Sequence, residues 1–265
     1  MSPIIKHANP TPGHKFGWNP SRPDHRDIVF TAPRAVKATL PPKVDLRSKC
    51  PPVLDQGELG SCTANAIANA HLFAQVSESY PSPFPPSRLF IYWNERNLEG
   101  TVLSDSGAAI RDGFKVINKL GACHETQWPY DISQFKKRPA ARCFQDALKY
   151  LAISYFAVPQ TESMLKACLA SGFPFVFGFS VYESFESALV AKTGKANLPG
   201  PNESSLGGHA VLCVGYDNTT GRFLIQNSWG SGWGAGGYFT LPYAYLLNSG
   251  LASDFWTVRR VAAPK

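Results

Sequence analysis

The spacing of apolar positions changes character past the middle of the chain. Residues 62–75, CTANAIANAHLFAQ, are rich in alanine, a strong helix former, and predict a helix with Ser61 as its cap. Residues 86–97 and 107–120 predict two more helices, the second stopped by Gly121. Thr161 is expected to cap a further helix carrying Met164, Leu165, Cys168 and Leu169, which stops near Gly172. After that the apolar residues run almost without interruption. FPFVFGFSV (173–181), HAVLCVGY (209–216) and RFLIQNSW (222–229) are aromatic and β-branched, and they predict strands. Asp217-Asn218-Thr219-Thr220-Gly221 reads as a hairpin loop between the last two. Helices first and strands later predict an α+β protein of two lobes. The helical lobe is expected over roughly 44–155 and the β lobe over 156–265.

Residues 1–43 follow neither period. Their eight prolines (3, 10, 12, 20, 23, 33, 41 and 42) remove backbone donors and hold the chain extended. They predict an N-terminal arm, with Trp18, Ile28, Val29 and Phe30 as apolar anchors.

Composition narrows the function classes. Hydrophobic residues are 44% of 265 and charged residues 17%, enough apolar mass for a sizeable core and too little charge for a disordered chain. The net charge of +7 is not gathered into basic runs with interleaved aromatics, so no nucleic-acid role is expected. No apolar run is long enough to span a membrane, and no secretory signal opens the chain, so a cytoplasmic location or export without such a signal is expected. The six cysteines (50, 62, 123, 143, 168 and 213) form no C-x-x-C pair and no zinc-like spacing with histidine, so neither metal nor cofactor is expected. Cys50, Cys123 and Cys143 are open to pairing in some combination.

The candidate chemistry gathers at Asp55-Gln56-Gly57-Glu58-Leu59-Gly60-Ser61-Cys62. A cysteine opening a helix faces unpaired N–H groups and the positive dipole end, both of which favour thiolate. Cys62 is therefore expected to be a free thiolate at neutral pH and the first of the six to alkylate. Gln56 can aim a side-chain N–H at the same point as the backbone N–H of Cys62, making an oxyanion hole. His209, in Gly207-Gly208-His209-Ala210-Val211, offers an imidazole at the head of a strand, able to pair with the thiolate and protonate a leaving amine. Asn227, across the hairpin, can hold that imidazole.

The Gln56–Cys62 run, the Gly-His-Ala-Val strand and the block Asn227-Ser228-Trp229-Gly230-Ser231-Gly232-Trp233-Gly234 resemble the papain/cathepsin family of cysteine peptidases, from about Val44 to the C-terminus. The resemblance implies a papain-like fold, with helical and antiparallel β lobes flanking an active cleft. It implies peptide hydrolysis through a thioester, with Cys62, His209 and Asn227 catalytic and Gln56 serving the oxyanion hole. By the same resemblance Trp229 shields the His–Asn bond, and Ser106, Gly107 and Gly208 meet an extended substrate. Three positions depart from the family pattern and imply a divergent, microbial branch. Leu59 replaces the cysteine of the usual disulfide beside the nucleophile, Thr63 replaces an aromatic, and Gly208 stands where an acidic residue is common. A helical prosegment is missing, and the expected monomer carries its 1–43 arm instead, over or beside the cleft as a restraint or behind the lobes as a strap. A non-catalytic peptide-binding protein and a transglutaminase-like acyltransferase on the same fold are the alternatives.

Overall fold

The computed structural model describes residues 14–262; arm residues 1–13 lie outside the described residues. Strands β1 (Lys43–Asp45), β2 (Ala152–Ala157), β3 (Phe175–Tyr182), β4 (Ser205–Asp217), β5 (Arg222–Gln226), β6 (Tyr238–Pro242) and β7 (Ala252–Val261) form one sheet. Its order is β2-β7-β3-β4-β5-β6, with β1 beside β4, and every pairing is antiparallel. Alternation along β3 and β4 builds a different core on each face. Phe175, Phe177, Phe179, Val211 and Cys213 enter one core with Phe223 and Phe239. Val176, Ala210, Leu212 and Val214 enter a second core with the helices. Cover on both faces is why FPFVFGFSV reads as an unbroken apolar run.

The helices are α1 (Arg34–Ala38), α2 (Cys62–Ser77), α3 (Arg88–Glu99), α4 (Ile110–Lys119), α5 (Ala141–Ala147), α6 (Glu162–Ala170), α7 (Ala188–Thr193) and α8 (Tyr243–Leu247). α2 is buried from Cys62 through Gln75, between the sheet and the pair α3 and α4. Its alanines give it the narrow girth that all-round packing requires. None of the described helices is long and apolar enough to cross a membrane.

Helix ends depart from expectation in instructive ways. Ser61 makes no capping bond; its hydroxyl lies 2.5 Å from the Tyr130 hydroxyl and accepts from Asn65 Nδ2 at 3.0 Å. Thr161 also makes no side-chain cap. α3 is capped by Ser87, which accepts from the Phe90 amide, and stopped by Gly100 at φ +74°. α4 starts at Ile110, later than the apolar spacing suggests, because Ser106–Ala108 stay extended against the arm.

The arm touches both halves of the molecule. Trp18 bridges to Ala108, and further along the Phe30 amide donates to Ala157 O at 2.8 Å while the Ala157 amide donates to Ile28 O at 2.9 Å. Trp18 (5% exposed) and Phe30 (2%) are anchors, but Ile28 (66%) and Val29 (55%) are not. Pairing at the edge of β2 uses backbone groups, so those two side chains stay outside.

Candidate active site

Cys62 is the first residue of α2, so the helix end lies directly under its sulfur. The backbone N–H groups of Ala210, Gly17 and Thr63 also converge on it and favour the anion. Burial outweighs them: the residue is 0% exposed, and its thiol is pushed up to about 12. His209 is equally buried, which pulls its imidazole down to about 4 in spite of the bond to Asn227, with His14 adding a small push in the same direction. Burial in this arrangement favours thiol and neutral imidazole, against the thiolate expected from the sequence. The helix end acts as expected, but Gly17 of the arm sits on the sulfur and water does not reach it.

His209 lies within β4, four residues in from Ser205, where the sequence placed it at a strand head. The β4–β5 register brings Asn227 beside it, and Asn227 Oδ1 lies 2.8 Å from His209 Nε2. The Ser228 amide donates to the same oxygen at 2.9 Å, so that atom is an acceptor and Nε2 carries the proton. Nδ1 is left as the free basic nitrogen; it is buried and makes no hydrogen bond, to Cys62 or otherwise, among the described residues. Trp229 stacks on the imidazole at 4.9 Å and Phe179 meets it edge-on at 5.8 Å, closing the His–Asn bond from water.

Gln56 is fixed from two sides. Its amide donates to Ser228 O at 2.9 Å, and Ser228 Oγ donates to its Oε1 at 2.7 Å. That orients Nε2 toward Leu59 O at 3.0 Å and toward an arm carbonyl, Lys15 O, at 2.8 Å. The remaining candidates meet the arm as well. Asn19 Nδ2 donates to Ser106 O at 3.0 Å, the Ala108 amide donates to Gly17 O at 2.8 Å, and the Trp18 amide donates to Gly208 O at 2.9 Å. At Gly107, φ +69°, a Cβ would lie 2.1 Å from Gly17 O, so the close approach needs a glycine there. His14 stacks on Trp229 at 5.0 Å and pairs with Asp55 at 3.5 Å, and Phe16 lies 6.2 Å from the His209 ring. Gln56, Cys62, Ser106, Gly107, Gly208, His209 and Trp229 thus surround arm residues 14–19, with Asn227 bonded to His209.

Sequence reasoning missed three supports. Ser228 sits inside the Asn-Ser-Trp block, and its role in aiming Gln56 had no local signal. Asp105 accepts from the Gly60 amide at 3.1 Å and from the Tyr92 hydroxyl at 2.6 Å, holding the loop before Cys62. Tyr130 donates to Gln56 O at 2.8 Å. All six cysteines are free thiols; Cys123 and Cys143 share a small core with Phe90 and Ala147, while Cys50 stands apart from them.

Comparison with known proteins identifies the family. The family described as papain family cysteine protease matches residues 40–257. The chain is similar to an uncharacterised peptidase C1-like protein of Acanthamoeba polyphaga mimivirus, 43% identical over 96% of this chain and 89% of the relative. In three dimensions it is similar to xylellain, a cysteine protease from Xylella fastidiosa, with TM-score 0.88 and 45% identity over 99% of this chain and 100% of the other. A digestive procathepsin L 3 of the Tenebrio molitor larval midgut shares the fold at TM-score 0.68 and 21% identity, over 89% of this chain and 74% of the other. The α+β architecture is the two-lobed papain-like one, and the chain belongs to the papain family of cysteine proteases.

Proposed function

We propose that this peptidase works through Cys62 as nucleophile, His209 as acid and base, Asn227 as the orienting residue and Gln56 as a donor to the oxyanion, and that arm residues 14–19 restrain it. In this reading residues 1–43 are a regulatory arm and 44–265 the peptidase domain, with the lobes meeting near residue 155.

With the arm lifted, water and the open cleft remove the burial that holds Cys62 and His209 neutral. The thiol proton passes to His209 Nδ1, giving thiolate and imidazolium. The thiolate adds to a substrate carbonyl, whose oxygen takes the donor that Gln56 now gives Lys15 O. The C–N bond then breaks as His209 returns its proton to the departing amine. Water, deprotonated by His209, attacks the thioester and releases the acid. Asn227 keeps Nε2 protonated throughout, so Nδ1 is always the nitrogen that exchanges protons with sulfur, amine and water.

The observation that carries the reading is the hydrogen bonding of the arm. Gln56 Nε2 already holds a peptide carbonyl, while Gly17 gives and takes backbone bonds at Cys62 and Ala108. The arm turns an N–H and not a carbonyl carbon toward the sulfur, an orientation unsuited to attack. A fluorogenic peptide assay with and without a thiol-alkylating epoxide tests the chemistry. Turnover abolished by one equivalent of epoxide, with the adduct on Cys62, is the expected result; turnover that survives labelling of Cys62 would overturn it.

A further inference from the structure

The helical lobe carries a run of positive charge with no acidic counterpart along it. Between Ile132 and Gln145 there is no Asp or Glu, while Lys136, Lys137, Arg138 and Arg142 follow one another closely. All four are exposed, and among the described residues none of them belongs to an ion pair. Asp146, one turn along α5 from Arg142, is already held by Lys149 Nζ at 2.8 Å and by Gln127 Nε2 at 2.7 Å. Unpaired cations this close repel one another, and an anion laid across them removes that repulsion.

The run is held still, and it is held near the candidate site. Trp93 Nε1 donates to Lys136 O at 3.3 Å, the buried Arg96 guanidinium donates to Phe135 O, and the Lys137 amide donates to Gln134 O at 2.8 Å. A surface fixed in advance loses little entropy when it binds. The same segment supports the loop that carries Gln56. Tyr130 donates to Gln56 O at 2.8 Å, and a Cβ at Gly57 would lie 3.1 Å from Ile132 Cδ1. Lys136 follows Ile132 by at most about 14 Å of extended chain, so a polypeptide threaded through the cleft reaches the cations about five residues from its scissile bond.

Resting on the peptidase reading above, we propose that Lys136, Lys137, Arg138 and Arg142 form a docking surface for acidic stretches of protein substrates, outside the cleft that holds the scissile bond. Charge excludes two other occupants. Residues 1–23 of the arm contain Lys6, Lys15 and Arg22 and no Asp or Glu, so the arm is not drawn to this surface, and a second copy of the chain brings its own net charge of +7. Single-stranded nucleic acid calls for open aromatic faces beside the cations. The two phenylalanines that bracket the run are turned inward instead. Phe135 packs on the core of the helical lobe, and Phe144 meets Phe90 at 5.0 Å and Trp93 at 6.4 Å. An acidic peptide needs only the charges.

The test uses the full chain carrying Gly17→Ala, whose added Cβ meets Gly60 O and lifts the arm. Fluorogenic peptides of one cleavable sequence carry a tract of glutamates or of glutamines, placed about five residues to one side or the other of the scissile bond. At one of the two ends the glutamate peptide is expected to show a KM about fivefold lower than its glutamine twin, the modest gain of a few exposed ion pairs. Salt at about 0.5 M should erase the difference. Lys136→Gln, Lys137→Gln, Arg138→Gln and Arg142→Gln together should erase it too and leave the glutamine peptide's KM where it was. No glutamate advantage at either end, or an advantage that survives the four substitutions, would overturn the assignment. If no peptide turns over, the peptidase reading has failed, and the surface is judged by binding instead. The anisotropy of a labelled oligoglutamate should rise with the Gly17→Ala chain and not with the chain that also carries the four substitutions. Equal anisotropy with both chains would sink the docking surface, as would a labelled oligothymidylate that binds through the four cations where the oligoglutamate does not.

Discussion

Gly17→Ala alters the arm at its tightest contact and changes no residue beyond the arm. An added Cβ would lie 1.8 Å from Gly60 O and 2.4 Å from its carbon. Both atoms are backbone, and their loop is held by Asp105 through the Gly60 amide, so the loop cannot yield. The arm must retreat by well over an ångström to reach ordinary contact. Bonds of 2.8 Å at Ala108 and 2.9 Å at Gly208 do not survive such a shift. Two backbone bonds at about 0.5–1.5 kcal/mol each, together with poorer seating of Trp18, put the loss at roughly 1–4 kcal/mol. Each 1.4 kcal/mol is about tenfold in the open fraction, so initial turnover of a peptide substrate should rise by about fivefold or more. The assay is initial velocity at matched concentration, with far-UV circular dichroism as a check on folding. A folded Gly17→Ala protein with unchanged kcat and KM would refute the restraint.

Three further outcomes follow from the same geometry. Iodoacetamide mapping should find Cys62 protected in the wild-type chain and labelled first of the six in Gly17→Ala; equal labelling rates in the two proteins would count against the seated arm. Asn227→Ala should lower kcat by at least about tenfold with little change in KM, because the imidazole loses the bond that sets its proton; an unchanged kcat would show that another group orients His209. Acid should loosen the arm. Cys62 and His209 hold one proton between them both as thiol and imidazole and as thiolate and imidazolium, so the linkage lies with His14. Burial of the seated arm lowers the His14 imidazole below its usual value, against the pull of Asp55, so the released state takes up a proton first as pH falls, and acid favours release. Exchange of the Trp18 amide, corrected for its intrinsic rate, should be faster at pH 5 than at pH 7.5, and equal protection at both would remove the linkage.

Elements with a strong period or composition were legible in the sequence. α2 begins at Cys62 as its alanine run suggests, and β3 and β5 sit where continuous apolar residues required cover on two faces. β7 was not visible. Its segment ends in Arg259-Arg260 and shows no clean alternation, and the Arg259 guanidinium covers the Phe173 ring at 3.5 Å, a contact no local pattern announces. The caps failed for a similar reason. Ser61 is an ordinary capping residue by type, but Tyr130, far along the chain, takes its hydroxyl. The arm was legible as extended and proline-rich. Its path was not, because that depends on the absence of side chains at Gly60, Gly107, Gly178 and Gly208, which becomes meaningful only when those glycines face one another across a cleft. The same cause bears on the protonation state: the thiolate argument used the start of α2 and the imidazolium of His209, and lacked the chain that covers both.

The claim on which everything above depends is that the sulfur of Cys62 makes and breaks the bond. Turnover of a fluorogenic peptide should be measured for Gly17→Ala, with the arm displaced, and for the same protein carrying Cys62→Ala, which removes one atom from a helix start and leaves α2 intact. The first is expected to turn over and the second to fall to the rate of buffer alone. Residual turnover in a clean Cys62→Ala preparation would contradict the assignment of the nucleophile, and with it the roles given to His209, Asn227 and Gln56.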